Sequence, residues 1–248
     1  MLCAECRYTV PMLLRDLHPW DLTPAEAIDL QKRLAPGVVR EGDPQDARLV
    51  AAADVAFVDR PLRQAQGRLH RRQPSLARAA VVLLSYPQLA IVEHHVIEAP
   101  VAFPYVPGLL SFRETPVLAL AFQKLAGRPD LLLVDGQGFA HPRRFGIACH
   151  LGLLADIPTI GVAKSRLCGE HEPLPLEAGR HVPLIDGDEV IGLVLRTRQG
   201  VSPLYVSVGH RIGLSPAAEW VLRLCRGYRL PEPIRIADKL SKGRALTL

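Results

Sequence analysis

Short apolar runs alternate with polar and Pro/Gly-containing segments along this chain, and they divide it into strands and helices. Continuous apolar runs bounded by turn residues predict buried strands, whereas apolar residues three and four positions apart predict amphipathic helices. The predicted strands cover residues 48–58, 78–86, 89–98, 131–135, 159–163 and 204–208, and a further hairpin covers 180–197. The predicted helices cover residues 23–34, 114–126, 143–156 and 215–226.

Two predicted helices begin with residues that commonly cap a helix. Thr23 can accept a hydrogen bond at the start of the first helix, where Pro24 and Glu26 complete a capping box. Ser215 and Pro216 are expected to begin the last helix in the same way.

The order of the elements predicts a mixed sheet. Between residues 131 and 163 a strand, a helix and a strand follow one another, so part of the sheet should be parallel. Residues 59–77 are polar and contain five arginines, and they are expected to form a surface loop or an insertion.

Composition narrows the class of protein without identifying a function. The chain has 248 residues, 48% of them hydrophobic, which fits one α/β domain with a sizeable core. Its formal net charge of +5 favours an anionic partner such as nucleic acid, although many basic enzymes bind none.

The cysteines and the N-terminal region indicate a soluble, cytoplasmic protein that binds no membrane. Five cysteines at irregular spacing do not form a disulfide framework, and Cys3 and Cys6 supply only half of a zinc site. The first twenty residues lack the apolar core of a signal peptide, and the most apolar region, 79–92, is too interrupted to span a bilayer.

Three acidic residues lie at or within the apolar segments. Asp54 stands inside the strand-like run VAAADVAFV, Asp135 ends the run LLLV, and Glu114 begins a predicted helix. If neighbouring strands bring the two aspartates together, they can share a hard divalent cation such as Mg²⁺ or Mn²⁺, with Glu114 as a third oxygen ligand. Asp135 can instead pair with Arg143 and Arg144 or lie in a solvated turn, and Glu114 can simply favour a helix N-terminus. Asp54 has no such explanation.

Basic and imidazole groups surround these acids in the sequence. Lys164 directly follows the run TIGVA, where it can be a surface group or a phosphate contact. His141 can orient water, bind phosphate or cap the following helix, whereas His150 is expected to pack against the sheet. Arg143 and Arg144 would lie in the first turn of that helix, where cations oppose the helix dipole unless an anion is near.

The segment PYVP at 104–107 places Tyr105 between two prolines. A tyrosine held in this way can stack on a base or wedge into a duplex, or it can anchor the loop on the core.

Several of these motifs together resemble the endonuclease V family, the deoxyinosine 3′ endonucleases. The longest are PYVPGLLSFRE at 104–114, VDGQGFAHPRRFGIACHLG at 134–152 and PTIGVAKS at 158–165. Weaker similarity is found in LHPWDLTPAEAIDLQ at 17–31, ADVAF at 53–57, PLYVSVGHRIGL at 203–214 and LPEPIRIAD at 230–238. The resemblance covers residues 17–240 as a single catalytic domain, leaving an N-terminal extension at 1–16 and a C-terminal tail at 241–248.

The resemblance implies a ribonuclease H-like fold, with a mixed five-stranded sheet and helices on both faces. It also implies an enzyme that uses Mg²⁺, with Mn²⁺ as a substitute, and acts on DNA containing deaminated bases. The sequence does not give the oligomeric state, and a monomer is expected. Such an enzyme cuts the second phosphodiester bond 3′ to the lesion and leaves 3′-hydroxyl and 5′-phosphate ends.

Residue roles follow from the resemblance by motif. Metal ligands would be Asp54, Asp135 and Glu114, while Lys164 and His141 would complete the catalytic residues. Substrate-binding residues would be Pro104, Tyr105 and Pro107 in the wedge, Gly108, Gly136 and Gly138 around the flipped base, and Arg143 and His210. Two features depart from the family pattern, namely the length and basic character of 59–77 and the presence of Gln137, where some members have histidine.

Two other functions remain open at the level of sequence. Some relatives prefer single-stranded RNA containing inosine, and the residues do not decide between DNA and RNA. A non-catalytic nucleic-acid-binding module would also bind phosphate, but it would not need all three acids and Lys164.

Overall fold

The part of the chain that the structure describes forms one eight-stranded mixed sheet with helices on both faces. The computed structural model describes residues 12–58 and 76–245. The strands are β1 (Leu49–Val58), β2 (Leu76–Ser85), β3 (Ile91–Pro100), β4 (Leu131–Val134), β5 (Thr159–Ala163), β6 (His181–Asp186), β7 (Glu189–Leu195) and β8 (Leu204–His210). The helices are α1 (Pro24–Leu34), α2 (Leu110–Phe122), α3 (Ile147–Ala155), α4 (Leu214–Arg223) and α5 (Glu232–Ser241).

The strand order is β3-β2-β1-β4-β5-β8-β7-β6, and only the pairs β1–β4 and β4–β5 are parallel. The first five strands in this order form the mixed sheet with helices on both faces that the sequence predicts. Three antiparallel strands, β8, β7 and β6, extend it to eight.

Two hydrophobic layers hold the helices on opposite faces of the sheet. On one face, α4 packs on β7 and β8 and α5 packs on β1, and they bury Trp220 and Ile234 in the same layer as Val50. On the other face, α2 and α3 bury Phe122 and Leu151 against the alternate residues of β1 and β4. Side chains alternate between the faces of a strand, so β1 takes part in both layers.

Three predicted helix starts are wrong. The helix predicted over 143–156 begins only at Ile147, so Arg143 and Arg144 lie in the preceding loop, and Arg144 has a φ of 55°. The helix predicted from Glu114 begins at Leu110, which places Glu114 inside the helix. The last predicted helix begins at Leu214 after Gly213, so Ser215 is not its N-cap.

Some expectations lie partly or wholly outside the described residues. These are the Cys3–Cys6 pair, most of the extension 1–16 and nearly all of the basic segment 59–77. Met12, at the end of the expected extension, is buried in the layer under α2 and α3. The C-terminal tail is expected to cover residues 241–248, and its first residue, Ser241, is the last residue of α5. Across 12–58 and 76–245, no helix is both long and apolar enough to cross a membrane.

The capping box predicted for α1 is confirmed. The Thr23 hydroxyl accepts a hydrogen bond from the Glu26 backbone N–H, and the Glu26 carboxylate accepts one from the Thr23 backbone N–H at 2.7 Å. Two of the otherwise unpaired N–H groups at this helix end are thereby satisfied.

Replacing the cap should destabilise the protein measurably. Thr23→Ala is expected to lower the free energy of unfolding by about 1 kcal/mol, because the Glu26 N–H loses its acceptor. Chemical denaturation at fixed pH measures this loss. The exposed Ser202→Ala is the control and should change stability by less than about 0.5 kcal/mol. Equal losses in the two variants would contradict the role of the cap.

Candidate active site

The register of β1 and β4 places Asp54 and Asp135 side by side. The two strands are parallel, and Ala53 pairs with Val134, so the next residue of each strand is an aspartate. The Asp135 N–H donates to the Ala53 carbonyl oxygen at 3.2 Å, which continues the pairing to the edge of the sheet. The expectation that neighbouring strands bring these two acids together is therefore met.

A third acid comes from α5, which packs on the face of the sheet that carries Asp54. Carboxylate oxygens of Asp54, Asp135 and Asp238 all lie within 4.8 Å of one another. Sequence reasoning did not single out Asp238, although it lies in the segment LPEPIRIAD that resembles the family. Hard oxygen ligands from three side chains at this spacing suit Mg²⁺ or Mn²⁺.

Glu114 approaches the same acids from the opposite face of the sheet, on α2. Its side chain is buried, and burial together with the charges of Asp54 and Asp135 raises its pKa to about 8. The interpretation of Glu114 as a charge favoured by a helix N-terminus is wrong, because α2 begins at Leu110. Glu114 lies close enough for the charges of both aspartates to raise its pKa. The third carboxylate within 4.8 Å of the two aspartates is that of Asp238.

Lysine side chains partly compensate this negative charge. Lys164, directly after β5, places its Nζ 2.5 Å from Asp135 Oδ2 and 2.9 Å from Asp238 Oδ1. Burial acts in the opposite direction, but these carboxylates raise the pKa of Lys164 and keep it charged. Lys242 lies 2.7 Å from Asp238 Oδ1. Lys164 is therefore part of the acidic cluster, although its side chain remains 38% exposed.

The cluster has an excess of negative charge, which a divalent cation would neutralise. Four carboxyl groups (Asp54, Asp135, Asp238 and Glu114) face the ammonium groups of Lys164 and Lys242, and the Arg113 charge acts on Glu114, which leaves a charge of −1 when all are ionised. Burial raises the pKa of Asp54 to about 6 and also raises that of Asp135. Buried acids whose ionised forms are disfavoured in this way are typical of metal and catalytic sites.

A cavity of about 430 Å³ opens beside the acids. Asp135 and Lys164 form one side, and Gly108, Gly136 and His141 form part of its wall. Tyr105 also lines the cavity, and it is 72% exposed, so it is not anchored on the core. Pro107 lines the same opening, and Pro104 precedes Tyr105 in an exposed segment.

One backbone carbonyl group fixes the wall of this cavity. The oxygen of Gly108 accepts hydrogen bonds from Gln31 Nε2 at 3.0 Å, His141 Nε2 at 3.0 Å and Arg143 Nη2 at 2.7 Å. Gly108 has a φ of +78°, which glycine adopts without the penalty that other residues meet. Gln31 is buried on α1 and was missed by sequence reasoning, because its partners are distant in the chain.

His141 is committed to this network through both ring nitrogens. Its Nδ1 accepts from the Arg143 N–H at 3.1 Å, so its Nε2 carries the proton that is donated to Gly108. Burial and the Arg143 charge lower the pKa of His141 to about 4, which keeps the ring neutral. The geometry therefore favours a positioning role over proton transfer or helix capping.

The structure does not bring His210 to this site. His210 pairs with Thr159 at the start of β5, whereas Lys164 follows the end of that strand. Its Nδ1 accepts from the Val39 N–H, and its Nε2 lies 3.3 Å from Asp156 Oδ1. His210 therefore lies at the end of β5 opposite Lys164, apart from the acids, and its expected substrate-binding role stays a prediction.

Gly138 also lies outside the cavity wall. Its N–H donates to Ser207 Oγ at 2.9 Å, and an added Cβ would lie 2.2 Å from the Val208 carbonyl oxygen. Gly138 therefore permits the close approach of the loop to β8 and does not line the pocket.

Two further residues of the 134–152 motif, Arg144 and His150, make contacts with other parts of the fold. Arg144 binds Asp186 and Glu189 of the β6–β7 hairpin, each at 2.7 Å, which provides the anion expected near it. His150 is fully buried, as expected, and its Nε2 lies 2.7 Å from His18 Nε2.

An open mixed sheet in which Asp54 inside β1 and Asp135 directly after β4 lie side by side agrees with the ribonuclease H-like fold. The sequence profile of the family Endonuclease V matches residues 32–239. Endonuclease V of Gloeobacter violaceus is 51% identical over 227 residues, covering 91% of this chain and 87% of that protein. The chain therefore belongs to the endonuclease V family, whose members are hydrolases that act on phosphodiester bonds.

Solved structures of the family agree with this fold. Endonuclease V of Streptomyces avermitilis superposes with a TM-score of 0.80 at 37% identity and covers 94% of this chain and 97% of that one. Endonuclease V of Ciona intestinalis, in complex with a 24mer DNA containing an inosine followed by a ribo-adenosine, has a TM-score of 0.70 at 28% identity. That match covers 88% of this chain and 96% of the Ciona chain.

Removing the buried charge of Glu114 should change how stability depends on pH. Its pKa is about 8 in the folded protein and near its ordinary value in the unfolded chain, so folding costs more as the pH rises between these values. In EDTA, Glu114→Gln is expected to melt several degrees above the wild type at pH 9 and close to it near pH 5. Melting curves across this pH range measure the difference.

The exposed Glu41→Gln is the matched control, and its melting temperature should follow the wild type at every pH. A Glu114→Gln effect that stays constant from pH 5 to 9 would contradict the buried, charged environment assigned to Glu114.

Proposed function

We propose that this enzyme is a metal-dependent endonuclease of DNA repair that recognises deoxyinosine and other deaminated bases. It cuts the second phosphodiester bond 3′ to the lesion, leaving 3′-hydroxyl and 5′-phosphate ends. The observation that carries the proposal is the cluster of Asp54, Asp135 and Asp238 beside a base-sized cavity, in a chain of the endonuclease V family.

Asp54, Asp135 and Asp238 would hold Mg²⁺, with Mn²⁺ as a substitute, and Glu114 would lie beside them. When bound, such a cation stabilises negative charge on a phosphodiester and activates water for attack. Lys164 has three N–H donors, of which Asp135 and Asp238 can accept two. Its side chain is 38% exposed, so the remaining donor is available to a substrate phosphate.

Base recognition is assigned to the cavity between the 104–108 loop and the Asp135–Gly136 turn. Its volume of about 430 Å³ lies within the range of roughly 300–1,000 Å³ that is common for ligand pockets. A base must leave the duplex to enter such a pocket, and a weakly paired base such as hypoxanthine does so at lower cost. Gly108 and Gly136 allow close approach of the backbone, and Arg143 fixes Gly108.

Tyr105, held between Pro104 and Pro107, is proposed as the wedge that replaces the extruded base in the duplex. The remaining contacts would be to the phosphate backbone, which is read without sequence preference. The enzyme is proposed to act as a monomer in the cytoplasm.

RNA containing inosine is the second candidate substrate. The nucleic acid bound to the Ciona enzyme carries a ribonucleotide next to the inosine. This observation favours testing 2′-hydroxyl groups on the 3′ side of the lesion in parallel with DNA.

The first test is a nicking assay on end-labelled DNA and RNA oligonucleotides that contain a single inosine. With Mg²⁺ we expect a cut one nucleotide beyond the inosine, and with EDTA none. Asp135→Asn should reduce the rate at least ~100-fold, since loss of a ligand should cost no less than loss of an orienting residue. The exposed Asp188→Asn in the β6–β7 turn is the control and should cut normally.

The relative rates on DNA and RNA assign the substrate. Binding of both oligonucleotides by the wild type without cleavage in Mg²⁺ or Mn²⁺ would exclude catalysis and leave a nucleic-acid-binding module.

The wedge makes a separate prediction about duplex substrates. Tyr105→Ala is expected to slow nicking of inosine in double-stranded DNA roughly tenfold, because base stacking on an aromatic ring is worth about 1–3 kcal/mol. The same variant should lose less on single-stranded DNA, where no base pair has to open. Single-turnover rates on matched substrates measure the ratio, and equal losses on both would contradict the wedge. The exposed Tyr228→Ala serves as the control.

A further inference from the structure

We propose that Ser241 is a positioning residue, whose hydroxyl group orients the Asp54 carboxylate and thereby strengthens binding of a divalent cation. The inference rests on the proposed metal-dependent function, and it assigns a role to a residue outside the acidic cluster. Ser241 is the last residue of α5, and its side chain is fully buried.

The contact that carries the inference joins α5 to β1. Ser241 Oγ lies 2.5 Å from Asp54 Oδ2 and donates to it. Among the side chains in 12–58 and 76–245, Ser241 is the one that donates a hydrogen bond to Asp54. A hydrogen bond to an ionised carboxylate is roughly twice as strong as one between neutral groups.

The position of Ser241 on α5 couples this contact to a proposed metal ligand. Asp238 precedes Ser241 by three residues, so both side chains project from the same face of the helix. That face packs on β1, where Ala237 and Leu240 are buried in the same layer as Val50. A single rigid helix therefore delivers one carboxylate to the cluster and orients another.

Orientation matters because Asp54 would otherwise rotate about its side-chain bonds in the absence of metal. A donor that fixes one carboxylate oxygen reduces the entropy that binding must overcome, and it limits the geometries available to the other oxygen. Residues that orient metal ligands in this way typically contribute 10- to 100-fold in metal affinity.

A purely structural role is the competing explanation. The single hydroxyl proton of Ser241 has a second acceptor, the Asp238 backbone carbonyl oxygen at 3.0 Å. If the proton is directed there, the hydroxyl only adds a second hydrogen bond to a carbonyl oxygen that already accepts from the Lys242 N–H at 3.3 Å. The two roles differ in their effect on metal binding by the protein without DNA.

The test is direct titration of the full chain with Mn²⁺, followed by electron paramagnetic resonance or calorimetry without nucleic acid. Ser241→Ala is expected to raise the Mn²⁺ dissociation constant about 10- to 100-fold. Ser241→Thr keeps the hydroxyl, so its Mn²⁺ dissociation constant should stay within about threefold of that of the wild type. Ser85→Ala is the matched control, because Ser85 lies at the other end of the β1–β2 pair and should bind Mn²⁺ normally.

Melting in EDTA reports folding of each variant independently of metal. If Ser241→Ala fails to fold, Ser241→Cys replaces it in the titration, since a thiol is a weaker hydrogen-bond donor of similar size. The Ser241→Cys protein should bind Mn²⁺ less tightly than the Ser241→Thr protein. Unchanged Mn²⁺ affinity in a folded Ser241→Ala or Ser241→Cys protein would overturn the inference. Absence of nicking by a wild type that still binds Mn²⁺ would instead overturn only the proposed function.

Discussion

The parallel pairing of β1 with β4 is the constraint on which the active site depends. Its register places Asp54 and Asp135 next to each other, one inside a strand and one at a strand end. Side chains alternate between the faces of a strand, so a slip of one residue would turn Asp54 away from α5 and into the layer of α2. The apolar residues on both faces of β1 specify the register strongly, because either face would bury the wrong side chains after a slip.

The same register places like charges together in a buried position, which costs free energy. Side chains of the surrounding elements offset part of that cost. Burial raises the pKa values of Asp54, Asp135 and Glu114, so their ionised forms oppose folding near neutral pH. Lys164 and Lys242 offset part of the charge, and the remainder is what a divalent cation can neutralise. A cation bound to the folded protein would relieve this repulsion and thereby stabilise the fold.

Sequence reasoning succeeds where a single segment carries the signal. Asp54 is conspicuous because an acid interrupts an apolar run, and the Asp135 turn and Lys164 follow runs of the same kind. Gln31 and Ser241 carry no local signal, because each contacts a partner more than seventy residues away. Asp238 lies in a segment that resembles the family, but its contact with Lys164 also joins residues more than seventy positions apart. His210 lies in a motif that resembles the family, but the antiparallel pairing of β8 with β5 places it at the end of β5 opposite Lys164. Topology, and not spacing, decides these positions.

The two halves of the site are held by different physical means. Charged groups hold the acidic cluster, whereas neutral hydrogen bonds and Arg143 hold the cavity wall around the Gly108 carbonyl. His141 remains neutral well below physiological pH, so its hydrogen bonds to Gly108 and Arg143 persist while the carboxyl groups titrate. Asp135 and Lys164 belong both to the acidic cluster and to the cavity, so the two parts of the site meet there. In the proposed function, the residues around Gly108 would select the base and the acids would serve phosphodiester cleavage.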